Sequence, residues 1–233
     1  MKKFAKVFLI SLGILILLIL AAAIILPVVY KGHIVQYAKT EANKSLNASL
    51  DFDNNISLSL FKNFPDFSLE VNKLIIINKV PFEGDTLVNI GSFSTTLDLM
   101  SVIRGDKIKI KSIILDRPYI HLKVLTDGTS NWDIAIKSKD TLKKEGKDTT
   151  SNFKMALQKY IINDGKIIYD DKSYNFYLEL DSFNHSGQGD FSSEVFDLIT
   201  HSTVGAMTVG YGGVNYIEKV KTKNAFDLRY YYP

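Results

Sequence analysis

The chain predicts a mainly β protein, with an N-terminal transmembrane helix and a short amphipathic helix followed by an elongated antiparallel sheet. Three observations carry that prediction. Residues 7–30 hold no ionisable side chain except Tyr30 and follow the basic opening Met1-Lys2-Lys3-Phe4-Ala5-Lys6. Beyond Leu50, apolar and polar residues alternate with period two. Turn-forming clusters interrupt that alternation at short intervals, and no helical pattern between strands supports parallel crossovers.

Taken in order, residues 1–6 form a basic tail and residues 7–30 a membrane span. At about 1.5 Å per residue the run reaches about 36 Å, against a hydrocarbon core of about 30 Å. A cleaved export signal ending near Ala21-Ala22-Ala23 is the competing pattern. Ile24-Ile25-Leu26-Pro27-Val28-Val29-Tyr30 continues the run well past a signal core of about 7–15 residues, so the segment reads as an uncleaved anchor. Lys2, Lys3 and Lys6 before the span are offset by Lys31, Lys39 and Lys44 after it. Long following domains cross largely regardless of charge, which places the tail inside and the bulk outside.

Residues 31–49 read as one amphipathic helix, with Ile34, Tyr37, Ala38 and Leu46 on a narrow apolar stripe. Residues 50–136 form a first β module. Its alternation shows in Ile56-Ser57-Leu58-Ser59-Leu60, Phe67-Ser68-Leu69-Glu70-Val71, Ile108-Lys109-Ile110-Lys111 and Ile120-His121-Leu122-Lys123-Val124. Turns are expected at Phe64-Pro65-Asp66, Glu83-Gly84-Asp85, Arg104-Gly105-Asp106, Asp116-Arg117-Pro118 and Asp127-Gly128. Residues 137–152 are too polar to pack and read as a linker. Residues 153–233 make a second β segment, with a hairpin or bulge at Asp164-Gly165 and strands at 174–180, 191–200, 204–211 and 225–231. The aromatic end at Tyr230-Tyr231-Tyr232-Pro233 leaves an open sheet edge, so this segment reads as incomplete.

Composition narrows the function. About 200 residues remain after the anchor, enough for one large or two small domains. The net charge of +3 is spread without a basic stripe, so no nucleic-acid partner is expected. The absence of cysteine excludes disulfides, thiolate metal sites and a cysteine nucleophile. Four Asn-x-Ser sequons, at Asn43, Asn47, Asn55 and Asn184, have meaning only in a secretory host.

No catalytic, cofactor or metal site is expected. His33, His121, His185 and His201 are placed in a helix, on a polar strand face, in a loop and at a strand end, without ligand spacing. Asp164, Asp170, Asp171 and Asp181 read as turn carboxylates, since they lack the spacing of a calcium loop. Gly187-Gln188-Gly189 and Gly210-Tyr211-Gly212-Gly213 read as bulges or turns, because neither follows a strand and opens a helix. Trp132 reads as packing at a strand start, with an interfacial anchor as the alternative.

The stretch Leu58-Ser59-Leu60-Phe61-Lys62-Asn63-Phe64-Pro65-Asp66-Phe67-Ser68-Leu69 resembles the AsmA family of bacterial envelope proteins, in a Bacteroidota-like form. Similar to that family as well are the helix with its Asn43 to Leu50 ending, Leu97-Asp98-Leu99-Met100-Ser101-Val102-Ile103-Arg104-Gly105-Asp106-Lys107-Ile108, Asp116-Arg117-Pro118-Tyr119-Ile120 and the Gly128 to Asp133 element. The resemblance covers most of residues 1–136, continues through Asn163 to Asp170, and implies an AsmA-type groove or sandwich at the N-terminal part of a longer protein. It further implies a single-pass inner-membrane protein, mostly periplasmic, that is not an enzyme. Its role would be to support outer-membrane and envelope biogenesis by handling or transporting phospholipid between the two membranes. Inner-membrane lipids, a phospholipid ligand and envelope proteins are its expected partners. The groove residues named on this basis are Leu58, Leu60, Leu69, Val71, Ile120, Leu122 and Val124. The alternative is a tethered scaffold that governs protein assembly into the outer membrane through strand edges.

Overall fold

The computed structural model describes residues 32–33, 35–63, 66–104, 109–136, 157–189, 197–221 and 225–231, and the side chains of 60–63, 102–103, 197 and 225–231 are not among those described. The expected tail (1–6), span (7–30) and linker (137–152) lie outside these residues. No helix among the described residues is long and apolar enough to cross a membrane. The chain divides into two units, Met1–Thr40 and Glu41–Pro233. The described residues of the first are helical, and the sheet belongs wholly to the second.

Residues 35–45 form helix α1. The helix ends earlier than residue 49, because Ala48–Asp51 is already strand β1, drawn onto the isoleucine run Ile75-Ile76-Ile77. Asn43 makes the junction: its Nδ2 donates to the Leu50 carbonyl at 2.7 Å, and the Leu50 amide donates to its Oδ1 at 2.8 Å. The side chain thus pairs with Leu50 as a strand residue would.

The remaining elements are β2 (Ser57–Asn63), β3 (Asp66–Asn78), β4 (Thr86–Leu97), α2 (Leu99–Arg104), β5 (Ile110–Val124), β6 (Lys159–Asp171), β7 (Phe176–Gln188), β8 (Asp197–Thr203), β9 (Ala206–Tyr211), β10 (Val214–Lys221) and β11 (Ala225–Tyr231). All eleven strands belong to one sheet. Three pairs of strands lie end to end as halves of one column. β1 and β2 both flank β3, β8 and β9 both flank β7, and β11 and β10 flank β8 and β9 in turn. The sheet is therefore eight columns wide, with an upper end at Asn78, Val124, Asp171 and Tyr211 and a lower end at Asp66, Leu97, Lys159 and Gln188.

An antiparallel sheet was expected throughout, yet β5 and β6 pair in parallel from Ser112↔Lys159 to Val124↔Asp171. A parallel neighbour needs a return connection of about a dozen residues or more, and residues 125–158 supply it without a helical pattern in the sequence. The sheet is mixed for that reason. Strand β10 was not anticipated. It follows the Gly212-Gly213 turn, where both glycines have positive φ (60° and 79°).

One irregularity crosses the whole sheet at mid-height. Lys73 in β3, Arg117 in β5, Asp164 in β6 and Ser182 in β7 all have φ between 48° and 53°, and β4 places Gly91 in the same row. Gly205, between β8 and β9, continues it by donating its amide to the Asp181 carbonyl at 3.0 Å. Left-handed non-glycine residues cost about 1–2 kcal/mol each, so such a row is a built feature. Asp116-Arg117-Pro118, expected as a turn, is part of this crease inside β5. So is Asp164-Gly165, within β6.

The crease shifts the alternation by one residue. In β3 the apolar set Phe67, Leu69 and Val71 gives way to Leu74 and Ile76; in β5, Ile113 and Leu115 give way to Pro118, Ile120, Leu122 and Val124. The same slip occurs in β4, β6 and β7. Its effect is to keep the apolar side chains on one face. At Gly165 a Cβ would stand 3.0 Å from Ile162 Cγ2 and 3.2 Å from Pro118 Cγ, so residues above and below the crease meet on the same side.

Candidate functional site

The apolar face is the site candidate, and cross-strand register assembles it column by column. Leu58 pairs with Leu69, Val71 with Phe93, Phe93 with Leu115 and Leu115 with Ile162 below the crease. Above it, Val88 pairs with Ile120, Ile120 with Ile167 and Ile167 with Leu180. Of the seven residues named from sequence, Leu58, Leu69 and Val71 stand in the lower half and Ile120, Leu122 and Val124 in the upper half, all on this face. Leu60 belongs to β2, but its side chain lies outside the described ones.

Packing on this face is incomplete. Val71, Ile90 and Val124 are buried, whereas Leu58, Leu69, Ile120, Leu122, Ile167 and Leu178 are only half-buried. Among the described residues no second sheet covers them. A closed sandwich would bury such a row between two layers.

Besides Thr95 and, at the upper end, the Tyr169–Asp171 pair, polar groups cluster on the face around His185. Tyr160 Oη lies 3.1 Å from His185 Nε2, His185 Nδ1 lies 2.7 Å from Ser202 Oγ, and the Phe183 ring stacks on the imidazole at 5.6 Å. Burial holds His185 below the usual histidine range and pushes the Tyr160 phenol up. His185 had been expected in a loop. It sits mid-strand in β7, because the strand continues to Gln188 through a stretch whose Ser, Asn and Gly content imitates a turn.

The opposite face is mixed, with Ile75, Ile114, Ile161 and Ile168 set among polar side chains. Ser57, Ser59, Ser68, Ser94, Thr96 and Ser112 line a groove of about 340 Å³ below the crease. Above it, Glu179 accepts hydrogen bonds from Lys166 Nζ (2.8 Å) and Tyr177 Oη (2.6 Å). Those two bonds hold the Glu179 carboxyl below its ordinary range, and burial pushes the Tyr177 phenol up. His121 contacts Tyr119 at 3.3 Å on this face.

The acidic residues considered as ligands are dispersed. Asp171 closes the turn between β6 and β7, its Oδ1 accepting from the Ser173 and Tyr174 amides at 2.8 and 3.0 Å. Asp170 pairs with Lys172 at 2.8 Å, whereas Asp164 and Asp181 lie within β6 and β7 at the crease and not in turns. Among the described residues no group of three or more His, Asp or Glu could hold a metal.

The Gly128 to Asp133 element acts as a latch. Asn131, 1% exposed, donates from Nδ2 to the His121 carbonyl (2.8 Å) and accepts at Oδ1 from the Lys123 amide (2.9 Å), while Asn78 Nδ2 donates to its carbonyl (2.7 Å). The loop after β5 is thereby fixed to both β5 and the end of β3. Asp98 has a similar function before α2, accepting the Ser101 amide at 2.8 Å as a helix cap. The recognisable motif side chains therefore serve the fold. No curated protein and no solved structure matches the chain. A family match does exist, over residues 1–193, and since it takes in α1, the latch and the sheet as far as β7, the chain belongs to the AsmA family.

Proposed function

We propose that this protein supports envelope biogenesis by holding phospholipid acyl chains against its apolar sheet face, as part of phospholipid handling between the inner and outer membranes. AsmA family membership points in general to an envelope-related, lipid-related role. The single observation that carries the finer reading is the continuous, half-buried apolar face kept on one side by the crease. Moving a sixteen-carbon chain into water costs about 13 kcal/mol at about 0.8 kcal/mol per methylene, and a continuous apolar surface removes most of that barrier. Nothing in the reading requires a catalytic step. Residues 7–30 would anchor the chain in the inner membrane, with residues 31–233 in the periplasm.

Replacing Leu69 and Leu122 together by Asp tests this. Lipid co-purifying with the full chain, quantified by mass spectrometry, should fall to background while circular dichroism keeps its β signature. Unchanged lipid recovery in a folded variant overturns the proposal. A second reading, a tethered scaffold capturing a partner strand, draws support from β10, an edge strand with Tyr216 and Val220 exposed. Its phospholipid recovery would be insensitive to the same substitutions.

A further inference from the structure

Resting on that lipid reading, we infer that the upper end of the sheet is a rim that seats in the headgroup region of a zwitterionic bilayer. Seven exposed large apolar side chains among the described residues lie at this end, close enough together to form one patch. Trp132, Tyr174, Tyr211, Val214 and Tyr216 lead the group, with Tyr174 74% and Tyr216 70% exposed. They come from three connections that the register brings side by side, after β5, between β6 and β7 and between β9 and β10. The described residues of the lower end are different in kind. There Lys111 bridges Asp66 (2.7 Å) and Asp98 (3.5 Å), and the exposed large apolar side chains are Met100 and Ile199, neither of them aromatic.

Trp and Tyr combine an apolar ring with a polar tip, and such side chains settle at the boundary between hydrocarbon and water. Here they also connect with the apolar face. The Trp132 ring lies 6.2 Å from Tyr169, and Tyr169 lies 6.1 Å from Phe176, a row that runs from the rim onto that face. Strand β1 also starts at this end, where Ala48 pairs with Asn78.

The charge of the rim selects the lipid. Among the described residues of the rim, Lys79, Lys123 and Lys172 are outnumbered by Glu83, Asp85, Asp127, Asp133 and Asp170. Anionic headgroups would be repelled, so contact is made by the aromatic side chains with zwitterionic headgroups and varies little with salt.

Trp132 is the chain's single tryptophan and reports on the rim directly. The full chain is incorporated into phosphatidylcholine vesicles containing phosphatidylcholine brominated near the glycerol end of its acyl chains. Trp132 emission should fall by half or more, equally at low and high salt, and Tyr174→Ser with Tyr211→Ser should restore most of it. Emission untouched by the brominated lipid but quenched by aqueous iodide overturns the inference, as does full quenching in the double tyrosine variant. Leu69→Asp with Leu122→Asp separates this from the lipid-holding reading. Quenching that persists after bound lipid is lost supports the rim, and quenching that disappears with the lipid assigns the signal to the apolar face and removes the rim.

Discussion

Above the crease, the more polar side of the sheet is joined by long side chains; below it, the same columns present small hydroxyls beside Ile114 and Ile161. Lys166, Glu179 and Tyr177 form one bonded group in the upper half, and Asn131 ties a loop down over the strand ends. In the lower half Ser57, Ser59, Ser68, Ser94 and Ser112 leave a shallow groove, and the strand ends are held by the Asp66, Lys111 and Asp98 group. Both halves nonetheless carry the same apolar face. That face is the constant feature, and each half stabilises its other side independently.

The comparison breaks most sharply at Asn131. Replacing it by Ala leaves the His121 carbonyl and the Lys123 amide without their partner, which should cost about 3 kcal/mol in denaturant unfolding. Native-state hydrogen exchange should show faster opening in the upper ends of β3 and β5 and little change below the crease. Uniform acceleration would mean that the crease does not separate two cooperative regions.

The crease itself offers the next test. Lys73→Val puts a β-branched side chain into a left-handed conformation and should cost about 2 kcal/mol, whereas Lys73→Gly should be neutral or stabilising. Equal stability of the two variants would show that the strand re-registers instead of keeping its slip.

Lys111→Met carries the smallest effect, about 1 kcal/mol, confined to the lower half. Its pH dependence has a defined sign. The amide of Ser101 is the main cause of a depressed Asp98 carboxyl, with Lys111 adding to it. Asp98 therefore contributes stability above its unfolded value, and that stability is lost as pH falls from about 4 downward. Unfolding measured across acid pH should show part of this slope removed in the variant.

The two faces were legible in the sequence because period two needs no tertiary information: Leu58, Leu69, Val71, Ile120, Leu122 and Val124 were assigned to one face and share it. The crease was not read, although its signal was present. Asn72-Lys73, Asp116-Arg117, Asn163-Asp164 and Asp181-Ser182 are each a polar doublet inside an otherwise alternating run. Such doublets use the residues of turns, and only their alignment across columns distinguishes a bulge from a reversal. The parallel pairing of β5 with β6 left no local trace, since its connection is long and has no helical period. His185 was missed for a related reason, because its importance comes from Tyr160 and Ser202, which are remote in sequence.

The aligned doublet also bears on how such a sheet could change in evolution. Three central columns, β3, β5 and β7, use the same four-residue word, apolar-polar-polar-apolar, at the same height, and β4 and β6 replace one position of it by glycine. A duplicated hairpin carrying that word would dock on its parent with its greasy side already facing the correct way, requiring no compensating change elsewhere. Width becomes a quantity that gene duplication can adjust in single steps.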